Sequence, residues 1–271
     1  MDELTLNAAT ILEHRYLLKD EDGRVTETPQ QMFERVARAV AQAELDFGGQ
    51  ADADEMTERF CGMLSRLEFL PNSPALMNAG TPLGQMSACF VLPVPDSIGA
   101  IFTAVKHMAV IHQSGGGTGF SFSRLRPRND VVKSTGGVAS GPVSFMRVFD
   151  VATDVVRQGG RRRGANMGIL RVDHPDIREF TTVKTAGQSF RNFNLSVAVD
   201  DRFMRAVKNG LPHALINPRT GEQTEECPAR DILDLIVHSA WQCGDPGLVF
   251  LDRINESHPL PHLGRIESTN P

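Results

Sequence analysis

From residue 87 onward, short runs of β-forming residues alternate with stretches of helical periodicity, and few architectures accommodate that pattern. SACFVLPVP (87–95) reads as a strand. Asp96 or Ser97 then caps a helix whose apolar stripe holds Ile98, Ile101, Phe102, Val105 and Met108. Phe120 to Ser123 is strand-like and Val143 to Val156 is a second amphipathic helix. Strands over 167–172 and 193–199 flank a helix that begins near Pro175; Ile232 to Trp241 is helical, and LVFL (248–251) is strand-like. Strands separated by helices pair in parallel through crossovers, so the class is α/β with a largely parallel sheet, open or closed.

The residues before this region read as helices. Thr28-Pro29 has the form of an N-cap followed by a first-turn proline, with Met32, Phe33, Val36 and Val40 at helical spacing behind it. Met56, Phe60, Met63, Leu64 and Leu67 repeat the pattern after Gly48-Gly49. LPNSPALMNAGTP (70–82) is rich in turn formers and marks a boundary. The expected division is a helical domain over 1–69 and an α/β domain over 70–271, and 271 residues suffice to bury a core in each.

Charge and cysteine usage exclude several classes. A formal charge of −5 argues against a general nucleic-acid binder, though a local anion site remains compatible with it. No stretch approaches the ~20 apolar residues of a membrane span, and the acidic N-terminus lacks the basic flank and apolar core of a signal peptide. The cytoplasm is the expected location. Cys61, Cys89, Cys227 and Cys243 are too scattered for a disulfide scaffold, contain no C-x-x-C pair and read individually as small buried hydrophobes. His258 and His262 have the spacing of a helical ligand pair, but Pro259 and Pro261 preclude the helix, so no metal site is expected.

The glycines raise a sharper question. HQSGGGTGFSFSRLRP (112–127) carries six consecutive residues, Ser114 to Gly119, with almost no side chain, followed shortly by two arginines. It is not a P-loop, since no Lys-Ser or Lys-Thr follows, and a dinucleotide fingerprint fails at Phe120. Two readings stay open: a tight helix-to-strand turn with glycine at positive φ, or a cradle for an anion. STGGVASGP (134–142) and RQGGRRRGAN (157–166) bracket the next helix, and the latter sets Arg157, Arg161, Arg162 and Arg163 among glycines. Planar, permanently charged guanidiniums suit phosphate, so the three loops together favour nucleotide handling.

Taken as whole segments, LPNSPALMNAGTPLGQMSACFVLPVPDS, HQSGGGTGFSFSRLRPRNDVVKSTGGVASGPVSFM, RQGGRRRGANMGILRVDHPDI and the final ESTNP resemble the large catalytic chain of ribonucleotide reductase, most closely its class II, adenosylcobalamin-dependent branch. The resemblance implies an N-terminal helical region followed by the first half of a ten-stranded α/β barrel. It makes Cys89 one of two thiols that reduce the substrate and become a disulfide. It assigns Ser73, Ser114 and Gly115 to the phosphates of the ribonucleotide substrate. Asp96 and Arg126 match positions that bind a deoxynucleotide effector, residues 131–140 match an effector loop, and Gln158 to Asn166, with Gln158 and Arg162, match the loop that reports effector identity to the substrate. Asn270 matches the asparagine of an Asn-x-Cys-x-Glu motif. Adenosylcobalamin as cofactor, a dithiol reductant such as thioredoxin, a homodimer and the C-terminal remainder of the enzyme are the implied partners.

The sequence departs from the family pattern at Pro271, where the radical cysteine, the glutamate and the second reducing cysteine have no counterparts. The expectation is a segment upstream of an intein or split-gene junction, inactive and aggregation-prone alone. A class I large subunit and a non-catalytic deoxynucleotide-binding remnant are the alternatives, and the choice between di- and triphosphate substrates is open.

Overall fold

The computed structural model describes residues 4–132, 136–156, 164–185, 187 and 189–271. They form two compact units, divided between Ala88 and Cys89.

In the first unit the helices are α1 (Leu6–Arg15), α2 (Pro29–Ala41), α3 (Gln50–Ser65) and α4 (Ser73–Asn78). Thr28 and Gln31 close a reciprocal capping box: Thr28 Oγ1 accepts from the Gln31 amide at 3.2 Å, and the Gln31 side chain accepts from the Thr28 amide at 2.8 Å. Pro29 loses nothing at a position whose N–H would have no helical partner. Met32, Phe33 and Val36 are buried as the spacing predicts, packed with Leu64, Leu76 and Ala79, while Val40 faces outward. The turn-rich stretch 70–82 belongs wholly to this unit. Asn72 caps α4 by accepting from the Ala75 amide, and Leu76 and Ala79 enter the helical core. Arg35, buried against Glu27, also donates to the carbonyls of Leu76 and Ala79. Turn chemistry in this stretch builds a short helix, so the chain divides some twenty residues later than residue 70, at the entry to the first strand.

The second unit is built on a five-stranded, all-parallel sheet of β1 (Cys89–Leu92), β2 (Gly117–Ser121), β5 (Asn166–Arg171), β6 (Phe193–Val199) and β9 (Gly247–Phe250), in that spatial order. Spatial order follows chain order, without the reversal of a doubly wound sheet. Cys89 lies opposite Gly117, Thr118 opposite Asn166, and Asn166 opposite Phe193. The crossovers carry α5 (Ile98–Gln113), α6 (Pro142–Val155), α7 (Ile177–Thr182), α8 (Asp201–Asn209) and α9 (Ala229–Cys243), and α10 (Leu251–Glu256) follows β9. Two antiparallel hairpins are added, β3 (Val131–Val132) with β4 (Gly137–Val138) and β7 (Pro212–Ile216) with β8 (Gln223–Pro228).

The core lies between this sheet and its helices. Phe120, Phe122 and Phe149 meet edge to face or tilted, with ring centroids 4.8–5.8 Å apart. Ile101, Ala104 and Met108 form the buried line of α5, whereas Ile98 and Phe102, expected on that stripe, are 62% and 50% exposed. The difference is rotational: the line through 101, 104 and 108 continues to His112 and leaves 98 and 102 on the flank.

Candidate active site

The sequence GTGFSFS forms one strand through Ser121 rather than a loop ending at Gly119. Alternation along it decides what each face can hold. Thr118, Phe120 and Phe122 point into the helix-side core, so Gly117, Gly119 and Ser121 share the opposite face. Across that face, antiparallel to β2, runs the segment from Arg265 to Pro271. Glu267 pairs with Arg124 (Nη2–Oε1 2.6 Å), Thr269 lies over Gly119, and Pro271 lies over Gly117. Asn255 holds the near end by pairing with both backbone groups of Ile266, at 2.8 and 3.0 Å. A Cβ on Gly119 would overlap the Thr269 carbonyl, and one on Gly117 would fall 2.8 Å from Pro271 Cγ and 3.4 Å from Cys89 Sγ. These two glycines therefore make the seat on which 269–271 rest, and they draw that segment and the Cys89 thiol to one spot.

Cys89 opens β1 and is a free, half-buried thiol. Asn270 lies in this strap of residues 265–271, between Thr269 and Pro271, its amide donating to the Pro271 carbonyl at 3.1 Å. Cys227, buried, and Cys243, exposed, lie elsewhere and donate to the carbonyls of His213 and Ser239.

Behind β2, on its helix side, sits a buried polar chain. Thr153 donates to the Phe149 carbonyl, Asn166 Nδ2 donates to Thr153 Oγ1, and Thr118 donates to Asn166 Oδ1 at 2.7 Å. The Thr118 hydroxyl proton is thereby used, so His112 Nε2, 3.0 Å away, donates to its oxygen. His112 Nδ1 carries the lone pair, is buried without a hydrogen-bond partner among the described residues, and packs where a Cβ on Gly164 would stand 2.5 Å away. Burial pushes the His112 imidazole down to about 4. Burial also lowers His174 and His213.

The sign of the consequence follows directly. His112 is neutral in the fold, while the unfolded chain takes up protons below about 6.5, so its contribution to stability is complete above that pH and is lost as pH falls towards 4, and the lowered His174 and His213 act in the same direction. The His112 shift alone corresponds to roughly 2–4 kcal/mol. Urea unfolding of the second unit at pH 7.5 and pH 4.5 should show this loss, reduced in His112→Gln.

Asp96 and Arg126 are brought together. Ser97 is the cap of α5, its Oγ accepting from the Ala100 amide, which frees Asp96 for other work. Arg126 donates from Nε to Asp96 Oδ2 at 2.8 Å and from its backbone amide to Oδ1 at 3.3 Å, and its Nη1 reaches the Val131 carbonyl. Ser114 is the C-cap of α5 and donates to the Ile111 carbonyl, and Gly115 sits at φ +83°, so this end of the glycine run is a tight helix-to-strand turn. Ser73 is the first residue of α4 in the first unit, hydrogen-bonded with Tyr16 at 2.9 Å. Gln158 and Arg162, and residues 133–135 of the effector loop, lie outside the described residues.

At the carboxyl ends of the strands a cavity of about 650 Å³ is lined by Ser121, Ser123, Arg171, Asp173, His174 and Asn217, among others. Open parallel sheets place ligands at that edge. Sequence reasoning assigned none of these residues, nor the seat made by Gly117 and Gly119. The seat was readable from the alternation of small and large residues in GTGFSFS, the cavity only from the strand order.

Fold and site together define a two-part protein: a helical domain, then a parallel α/β sheet bearing a thiol at one edge. Residues 2–84 match the family described as ribonucleotide reductase, all-alpha domain, and residues 87–271 match ribonucleotide reductase, barrel domain. The chain belongs to the ribonucleotide reductase family. It is 53% identical to a vitamin B12-dependent ribonucleoside-diphosphate reductase of Mycobacterium tuberculosis and 48% identical to one of Thermoplasma acidophilum, each over 99% of this chain. It is 36% identical to a vitamin B12-dependent ribonucleotide reductase of Streptomyces avermitilis. The chain spans 39%, 42% and 31% of the lengths of these three relatives.

Proposed function

We propose that this chain is the effector-binding and thiol-bearing part of an adenosylcobalamin-dependent ribonucleotide reductase. The observation that carries the reading is the convergence of a free Cys89 thiol with Pro271 over the side-chain-free Gly117, where the segment that also lies over Gly119 ends its run across the strand. Removing a ribose 2′-hydroxyl as water takes two electrons and two protons. Two thiols supply them as they become a disulfide, and Cys89 is one of the pair. The three relatives named above are all called vitamin B12-dependent. When bound, that cofactor supplies the initiating radical; the residues of this chain hold nucleotides and the reducing thiol.

Ser73, Ser114 and Gly115 remain the proposed phosphate contacts of the ribonucleotide, and Gln158 and Arg162 those of the effector-reporting loop. A dithiol protein such as thioredoxin would restore the thiols, a homodimer and the remaining barrel would complete the enzyme, and the cytoplasm suits four cysteines that form no disulfide. No helix among the described residues is long and apolar enough to cross a membrane.

Asp96 and Arg126 are the proposed deoxynucleotide contacts. Arg126→Ala removes a charge-assisted donor and should weaken deoxynucleoside triphosphate binding by about 1.5–3 kcal/mol. Calorimetry with dTTP and dATP checks this, and unchanged affinity in both Asp96→Ala and Arg126→Ala would remove the effector assignment. Dependence of ribonucleotide reduction on added adenosylcobalamin, in a reductase of full family length carrying these residues, tests the wider reading.

A further inference from the structure

Asp130 stands immediately before the β3–β4 hairpin, and its carboxylate accepts four hydrogen bonds. Oδ1 takes the Val131 amide at 2.8 Å and Arg219 Nη2 at 2.7 Å; Oδ2 takes Arg219 Nε at 2.8 Å and Asn217 Nδ2 at 3.2 Å. Four bonds fill the acceptor sites of a carboxylate, so Asp130 has no capacity left for a ligand. The Asp130 backbone is held as well, its carbonyl accepting from the Ala139 amide while the Asn129 amide donates to Ala139. Both stems of the hairpin are thus closed at Asp130. The other partners come from the turn between β7 and β8, where Asn217 Oδ1 also accepts from the Arg219 amide at 2.9 Å.

The same hairpin touches the proposed effector pair. Arg126 Nη1 donates to the Val131 carbonyl, one peptide from Asp130, and Asp96 is close enough to favour the charged form of Arg219. An unbroken path runs from Asp96 through Arg126 and Val131 to Asp130 and on to Arg219. Its two carboxylates and two guanidiniums balance, and one pair, Asp130–Arg219, is spent on structure. The Asp130 side chain is 9% exposed, against 23% for Asp96.

We propose that Asp130, Asn217 and Arg219 form a brace by which the β7–β8 turn fixes the β3–β4 hairpin over Arg126 and so sets effector affinity. The inference rests on the effector reading of Asp96 and Arg126. Arg219 is a positioning residue, and the planar fork matters: lysine keeps the charge but cannot make the two parallel bonds.

The test uses the full chain with two readouts. Without nucleotide, Arg219→Ala should speed amide exchange of Val131, Val132, Gly137 and Val138 at least tenfold, with Arg219→Lys intermediate. Arg178→Ala, which removes an exposed ion pair to Glu225 on the same β7–β8 hairpin, should leave those amides unchanged. With dTTP and dATP as probes, Arg219→Ala should raise the dissociation constant at least fivefold while Arg178→Ala does not. Unchanged exchange at Val131, Val132, Gly137 and Val138 in Arg219→Ala overturns the brace whether or not nucleotide binds. Faster exchange with unaltered nucleotide affinity overturns its link to the effector. Absence of binding by the unmodified chain counts against the effector reading instead, and the exchange measurement still decides the brace. If Arg219→Ala fails to fold, Arg219→Lys and Asn217→Ala carry the same comparison.

Discussion

Gly119→Ala should lift Thr269–Pro271 off the sheet. The new methyl would occupy the space of the Thr269 carbonyl, which is backbone and cannot rotate away. β2 cannot retreat either: Phe120 on its other face is fully buried against Phe122 and Phe149, and Thr118 is tied to His112 and Asn166. The strap is the softer element, held by Asn255 at Ile266 and by Arg124 at Glu267 but resting on glycine beyond them. Overpacking against backbone costs about 1–3 kcal/mol, enough to displace the softer of the two elements. Pro271 would then leave Gly117 and the Cys89 thiol beside it, and Asn270 would move with it. Misplacement of about 1 Å at a reacting centre can cost 10²-fold in rate, so turnover by a complete reductase carrying Gly119→Ala should fall by at least that factor. Amide exchange should rise over 268–270 and stay unchanged in β5. Gly99→Ala, at a position with open space around the added carbon, should be silent in both measurements.

A larger effect is expected at Cys89. Serine is close in size and occupies the first position of β1, where the side chain is half-buried and bears no disulfide, so the sheet should form and deoxynucleotide affinity should stay within twofold. Turnover with an external dithiol should disappear, because a hydroxyl cannot join a disulfide and the two-electron step loses one of its donors. A purely packing role predicts the reverse: lost stability with activity kept. Parallel measurement of urea midpoint and steady-state reduction separates the two.

Much of this fold could be read in the sequence, for identifiable reasons. Thr28-Pro29, the β1 run from Cys89, α6 and β6 each carry a local signal, a cap or an apolar period, that packing then reinforced. The β7–β8 hairpin was missed because β8 reads QTEECP, polar throughout, with only Cys227 buried. α8 escaped although Asp200 caps it and Gly210 closes it at φ +65°, because only Phe203 and Ala206 are buried in nine residues. At the site, the glycines suggest either a positive-φ turn or an anion cradle, and Gly115 has the conformation of the turn. For Gly117 and Gly119 the missing side chain matters more than backbone freedom, since it lets a segment distant in sequence lie against the strand. That partner, 269–271, is invisible to local patterning. The Asp130–Arg219 pairing was hidden for the same reason: it joins two turns 89 positions apart.

If Cys89 delivers reducing equivalents to a ribonucleotide, its thiol is consumed in a single turnover without external reductant. A reductase of full family length carrying these residues would be reduced, freed of dithiol and mixed with adenosylcobalamin and either CDP or CTP. It would then be quenched with an alkylating reagent under denaturing conditions and digested for mass spectrometry. The account predicts deoxynucleotide formation limited to about one equivalent per reduced thiol pair. It also predicts loss of Cys89 alkylation in proportion to that yield and recovery of alkylation on adding dithiol, with Cys61, Cys227 and Cys243 alkylated throughout. Deoxynucleotide formed while Cys89 remains fully alkylatable would contradict it.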